Sequence, residues 1–232
     1  MTLSNDSRDR VKGTFEPIAL ALGRAGLTPD ALTLIGFAIT VIAAFLLSQQ
    51  LWLVGGLVVL VGGVFDMFDG TLARATGKVS PLGAFMDSVF DRAGEVIVYL
   101  GIVAGLLRDG FWDPALLAAA AMGAAVMVSY TRSKAEGLGF TEGTGMAAVG
   151  IMPREIRLVI LAIGLLLAGL LGVGYGDFTG DDQFPFLPGT WALTLALGII
   201  TVGATITTIQ RILHVRSQAR QHASSHPTET NT

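Results

Sequence analysis

Val64-Phe65-Asp66-Met67-Phe68-Asp69-Gly70-Thr71-Leu72-Ala73-Arg74 closes one long apolar run, and Gly83-Ala84-Phe85-Met86-Asp87-Ser88-Val89-Phe90-Asp91-Arg92 opens the next. Asp66 and Asp69 are spaced i, i+3, and Asp87 and Asp91 are spaced i, i+4. In a helix each pair lies on one face. The short link between the two runs predicts an antiparallel pair of helices whose four carboxylates meet at one depth. Hydrophobic runs that end in paired acids are the pattern of helices crossing a membrane with a polar site at one surface.

The rest of the chain agrees. Of its residues 52% are hydrophobic and only 14% charged, against about 25% charged in a soluble domain. Mean hydropathy is +0.64. A bilayer accommodates that much apolar surface, because lipid-facing side chains need no polar cover. The 30 glycines suit close helix–helix approach in lipid. Without cysteine, disulfides, thiolate metal sites and cysteine nucleophiles are excluded.

Six apolar spans are expected, near 30–48, 51–72, 83–107, 114–131, 156–173 and 190–210. Each is long enough for a helix to cross a ~30 Å hydrocarbon core. Residues 1–12 are polar, so no cleavable signal peptide is expected. From Arg8 to Gly26, Val11, Phe15, Ile18, Ala19 and Leu22 share a helical face, which predicts an amphipathic helix lying on the membrane. Thr28-Pro29-Asp30 reads as the cap and first turn of the first span. The expected organisation is an N-terminal segment with its interfacial helix (1–27), a six-helix membrane domain (28–215) and a disordered polar tail (216–232). With the N-terminus inside, Arg108 is the one Lys or Arg of 15 in an outer loop, while the loop 174–189 carries Asp177, Asp181 and Asp182. Both termini are therefore expected in the cytoplasm, and the aspartates at the cytoplasmic face.

Four like charges in a half-buried site repel one another, and hard divalent cations with oxygen ligands relieve that repulsion. Mg²⁺ or Mn²⁺, as two ions, is the expected cofactor. Zinc is not expected, because neither histidine nor cysteine is near. Simple ion pairing of the aspartates with Arg74 and Arg92 is the blander alternative, but intramembrane acids are costly and point to function. Arg132 and Lys134 after the fourth span, Arg154 and Arg157 before the fifth, and Arg211 after the sixth share the aspartates' side. Such a cluster suits a phosphorylated small molecule, and the general positive-inside bias is its competing explanation. No nucleic-acid partner is expected.

Asp66-x2-Asp69-Gly70-x2-Ala73-Arg74-x8-Gly83-x3-Asp87-x3-Asp91 resembles, at every fixed position, the signature of the CDP-alcohol phosphatidyltransferases. The resemblance extends to the six spans and the N-terminal helix. It implies a homodimeric enzyme that moves a phosphatidyl-type group from a CDP-lipid to an alcohol. It further implies that Asp66, Asp69 and Asp87 ligate metal, and that Asp91 completes the second ion's shell and acts as general base. Gly70 and Ala73 would border the cytidine pocket, and Arg74 would hold the CDP moiety. Asp30, Thr33 and Ser80 match further CDP-lipid positions. Ser129-Tyr-Thr-Arg132-Ser-Lys134-Ala-Glu136 and Gln210-Arg211 resemble the branch that uses inositol phosphate, found in the membranes of actinobacteria and archaea. Arg132 or Lys134, Arg154 or Arg157, and Arg211 would then grip the acceptor phosphate. Glycerol 3-phosphate and serine are the alternative acceptors. A divalent-cation transporter is the alternative of another class, disfavoured because the acids lie near one face and no broken half-helices are evident.

Overall fold

The computed structural model describes residues 16–140, 146, 149–174 and 187–225, and all of the regular structure among them is helical. Helix α1 covers residues 16–24. It is followed by α2 (Pro29–Ser48), α3 (Trp52–Ala75), α4 (Pro81–Arg108), α5 (Trp112–Gly137), α6 (Arg154–Leu171) and α7 (Pro188–Ser225).

Two helix starts have the same chemistry. Thr28 caps α2 by accepting the Ala31 N–H at 3.2 Å, and Ser80 caps α4 by accepting the Gly83 N–H at 3.0 Å. Proline follows each cap, where its missing N–H costs nothing. Both caps lie at the end of the molecule that carries the aspartates.

The six long helices close a ring in the order α2, α3, α6, α7, α5, α4 and back to α2. Small residues permit the closest approaches. A Cβ on Gly101 of α4 would lie 2.8 Å from the Ala44 Cα of α2, and one on Gly169 of α6 would lie 2.5 Å from the Leu53 Cα of α3. Leu47, Ile102, Leu106, Leu165, Leu193 and Leu197 fill the centre. Phe45, Leu116, Leu170 and Leu195 point outward and are exposed, as lipid-facing side chains are.

Four helices, α2, α3, α5 and α7, are long and apolar enough to cross a membrane. The other two runs expected to span are more charged. Helix α4 carries Asp87, Asp91, Arg92 and Glu95 before or near its middle, and α6 is 18 residues long and opens with Arg154, Glu155 and Arg157. Two expectations change. Helices α3 and α4 are not packed along their lengths. Helix α2 contacts both, and the space between their polar ends is left open. Helix α7 continues to Ser225, through residues 216–225 that the sequence assigns to a polar tail. That extension lacks Gly and Pro and carries a Gln218–His214 contact of 3.1 Å one turn apart. Of the N-terminal amphipathic face, Ala19 and Leu22 pack on Leu32, Phe68 and Leu72, whereas Ile18 is exposed. Val11 and Phe15 lie outside the described residues, as do Asp177, Asp181, Asp182 and positions 226–232.

Candidate active site

An open cleft of ≈ 240 Å³ lies between the polar ends of α2, α3 and α4, and Asp30, Thr33, Asp69, Gly70, Ala73, Arg74, Ser80 and Asp87 line it. Each helix end contributes for a local reason. The Thr28 cap sets the first turn of α2 and so directs Asp30 and Thr33 along one side. The last turns of α3 bring Asp69, Gly70, Ala73 and Arg74 in at helical spacing. The Ser80 cap starts α4, which carries Asp87 in its second turn. Every residue that the sequence assigns to the CDP-lipid therefore borders this one cleft, together with two of the four aspartates.

Gly70 has a spatial role there. A Cβ at Gly70 would lie 3.2 Å from an Arg74 guanidinium nitrogen, so the bare backbone leaves room for the Arg74 head to fold across the helix. Lys78 also lines the cleft. Sequence reasoning missed it because a lysine in an inner loop looks like topology-setting charge.

Asp66 and Asp91 face a second, narrow cavity of ≈ 50 Å³ that runs deeper between α2, α3, α4 and α6. Arg154, the first residue of α6, reaches between them. One guanidinium nitrogen donates to Asp66 Oδ2 at 2.7 Å and the other pairs with Asp91 Oδ2 at 2.7 Å. Asp69 is buried and accepts from the Thr33 hydroxyl at 2.6 Å and from the Gly70 N–H. Neither Arg74 nor Arg92 forms an ion pair with the aspartates among the described residues; Arg92 donates to the Ser88 carbonyl of its own helix. The blander ion-pair explanation thus names the wrong arginines.

The expected convergence of four carboxylates is incomplete. Among the described residues no three acidic or histidine side chains draw close enough to ligate one ion. Asp66 and Asp91 share Arg154, whereas Asp69 is held by Thr33 and Gly70 on the side of the cleft. The donor set nevertheless fits a hard cation. It consists of carboxylate and hydroxyl oxygens, and a positive charge already bridges Asp66 and Asp91.

The five basic residues expected to grip a phosphate separate into distinct environments. Arg154 sits among the aspartates. Arg157 is buried, pairs with both carboxylate oxygens of Glu95 at 2.8 and 2.9 Å, and donates to the Met152 carbonyl at 3.1 Å. Arg211 is also buried. It donates to the Val149 carbonyl at 3.0 Å and to the Val128 carbonyl, and it lies close enough to Arg132 and Arg157 to feel their charge. Arg132 is exposed and pairs with Glu136 at 2.9 Å, and Lys134 is exposed. Arg157 is thus committed to holding α6 against α4 and is displaced from the list of free phosphate ligands. Glu95, its partner, went unnoticed in the sequence. The available signal was its position one turn beyond Asp91, on the face that already carries Asp87.

Comparison with known proteins places this geometry. The family model for CDP-alcohol phosphatidyltransferase matches residues 26–210. The archaetidylinositol phosphate synthase of Pyrococcus horikoshii is 40% identical over 160 residues, covering 68% of this chain and 80% of that one. The phosphatidylinositol phosphate synthase of Mycolicibacterium smegmatis is 35% identical over 215 residues, covering 91% and 87%. Among solved structures, the Mycobacterium tuberculosis phosphatidylinositol phosphate synthase with CDP-DAG bound superposes with a TM-score of 0.70 at 29% identity, covering 87% of this chain and 92% of that one. The same enzyme in complex with manganese and citrate gives a TM-score of 0.71 at 27% identity, covering 88% and 89%. With the signature intact on α3 and α4 and the match running through the helices that frame the cleft, the chain belongs to the CDP-alcohol phosphatidyltransferase family.

Proposed function

We propose that the enzyme transfers the phosphatidyl-type group of a CDP-lipid to a hydroxyl of inositol phosphate and releases CMP. The observation that carries this reading is the single cleft bordered by Asp30, Thr33, Gly70, Ala73, Arg74 and Ser80, with Asp69 and Asp87 on its wall. The relatives' names, phosphatidylinositol phosphate synthase and archaetidylinositol phosphate synthase, support the choice of acceptor.

In this reading Gly70 and Ala73 let the flat cytosine approach the helix backbone, while Arg74 and Lys78 attract the pyrophosphate. Asp66, Asp69, Asp87 and Asp91 hold Mg²⁺ or Mn²⁺, as two ions. The metal supplies neutralisation of the pyrophosphate and of the charge that builds on departing CMP. The acceptor oxygen attacks the lipid-bearing phosphorus and the bond to CMP breaks. Asp91 takes the hydroxyl proton. Arg132, Lys134 and Arg154, with Arg211 behind them, hold the acceptor phosphate. The lipid tails stay among the outward apolar side chains. All six long helices cross the membrane, α1 lies on its surface, and the cleft opens to the cytoplasm.

The test is CMP release by the purified protein from CDP-diacylglycerol and from its archaeal ether analogue. Inositol 1-phosphate, glycerol 3-phosphate and serine are offered in turn, with Mg²⁺, with Mn²⁺ and with chelator. Turnover with inositol 1-phosphate that stops in chelator is expected. Turnover with serine or glycerol 3-phosphate alone would overturn the acceptor, and turnover in excess chelator would overturn the metal.

A further inference from the structure

Arg154 stands apart from the other arginines. Its side chain is 37% exposed, against 1% for Arg157 one turn later. Arg157 is tied by three hydrogen bonds to Glu95 and Met152, so the first turn of α6 is anchored without help from Arg154. Arg154 opens the helix directly after Pro153, which gives α6 no side-chain cap. A cation at the positive end of a helix dipole is unfavourable by itself. Its two carboxylate partners come from different helices, Asp66 from α3 and Asp91 from α4. These are two of the four carboxylates that the proposed function gives to the metal. An ion drawn in between these two carboxylates competes with the guanidinium for their charge and for the space between them, and the two nitrogens that bind the aspartates cannot at the same time hold an acceptor phosphate.

We infer that Arg154 is a resident counter-ion of the carboxylate site: it neutralises Asp66 and Asp91 until a divalent cation displaces it, and once displaced it takes the phosphate of the acceptor. The inference rests on the metal and acceptor assignments above and adds a coupling between them. Displacement by the cation frees the guanidinium for the phosphate. A bound phosphate, in turn, keeps the guanidinium from competing with the cation. By linkage, each ligand then tightens the other by the same factor. The fold supplies the conditions for this exchange: an anchored α6, a half-exposed side chain at its first residue, and two carboxylates held on separate helices.

The test reads metal binding without turnover. Mn²⁺ is titrated into the full-length protein in lipid nanodiscs, free Mn²⁺ is followed by electron paramagnetic resonance, and inositol 1-phosphate is present or absent. In the wild-type protein inositol 1-phosphate should tighten Mn²⁺ binding about five- to a hundredfold, the usual range of such couplings. Arg154→Ala should bind Mn²⁺ more tightly than wild type without acceptor, and inositol 1-phosphate should then add nothing. Arg154→Gln, which keeps most of the side-chain volume, should behave alike if the alanine variant fails to fold. Arg92→Gln removes an equal charge nearby and should keep the coupling. Weaker or unchanged Mn²⁺ binding in both Arg154 variants, coupling that survives in them, or coupling that disappears in Arg92→Gln would each overturn the exchange. Failure of the underlying assignment has its own signature: Asp66→Asn would then bind Mn²⁺ as well as wild type.

Discussion

At the scale of single residues, three side chains with similar sequence credentials take different roles. Asp91 faces the deep cavity and pairs with Arg154 through Oδ2. Asp91→Asn should lower kcat about 10²- to 10⁴-fold, the usual worth of a general base, while binding of CDP-lipid stays measurable by calorimetry. Near-normal turnover would remove Asp91 from the chemistry. Arg157 is expected to act on stability instead. Arg157→Ala leaves Glu95 without its partner beside a buried cavity, and breaking such a pair costs about 3–5 kcal/mol. The thermal midpoint in detergent should fall well below that of the exposed Arg132→Ala, whose effect should appear as a raised KM for the acceptor. The shared placement of Asp69, Gly70, Ala73 and Arg74 on one cleft wall was legible because fixed spacing on a helix decides which residues share a face. The fate of Arg157 was not legible. Its partner Glu95 lies on another helix, and only tertiary packing decides whether an arginine is spent on an internal acid or left for a ligand.

At the scale of helices, caps and proline positions carry the reading. Thr28-Pro29 starts α2 with the side-chain bond that the sequence signals, and Ser80-Pro81, read from the sequence as a CDP-lipid position, starts α4 in the same way. The separation of α3 from α4 was hidden, because a short link between two helices says that their ends are near and not that their flanks touch. What fills the gap from behind is α2, packed on α4 through Gly101. Gly101→Ala would put a methyl against the Ala44 backbone, which cannot move aside as a flexible side chain can. Overpacking of this kind costs about 1–3 kcal/mol, and spreading α2 from α4 should also loosen the cleft. Gly123→Ala is the matched control, since nothing lies within 4 Å of the added carbon and alanine is the better helix former by about 1 kcal/mol. Thermal unfolding in detergent should therefore show a fall for Gly101→Ala and none for Gly123→Ala. Equal midpoints for the two variants would mean that α2 and α4 are not packed as described.

At the scale of the whole molecule, the distribution of charge and the position of the cleft make the same statement about orientation. Arg74, Lys78, Arg92, Arg132, Lys134, Arg154, Arg157 and Arg211 fall at the helix ends that carry the aspartates, whereas Arg108 lies at the end of α4, beside Gln49 at 2.8 Å. Basic residues are retained on the cytoplasmic side, which is also where a water-soluble inositol phosphate and departing CMP would exchange. The two lines of argument are independent, one from insertion and one from substrate supply. The acids and arginines that build the site place charged residues inside α4 and in the first turn of α6, so these two runs look least like membrane spans in the sequence. Function thus erases part of the signal by which spans are recognised. The absence of cysteine permits a clean test. Asp109→Cys, after α4, and Ser217→Cys, near the end of α7, are both exposed positions at opposite ends of the bundle. In intact cells a membrane-impermeant maleimide should label Asp109→Cys and leave Ser217→Cys untouched, with both labelled after permeabilisation. The reverse pattern would turn the molecule over and place the cleft outside, away from any cytoplasmic acceptor. Labelling of both in intact cells would mean that the stretch between them crosses the membrane an even number of times, against the three crossings proposed for α5, α6 and α7.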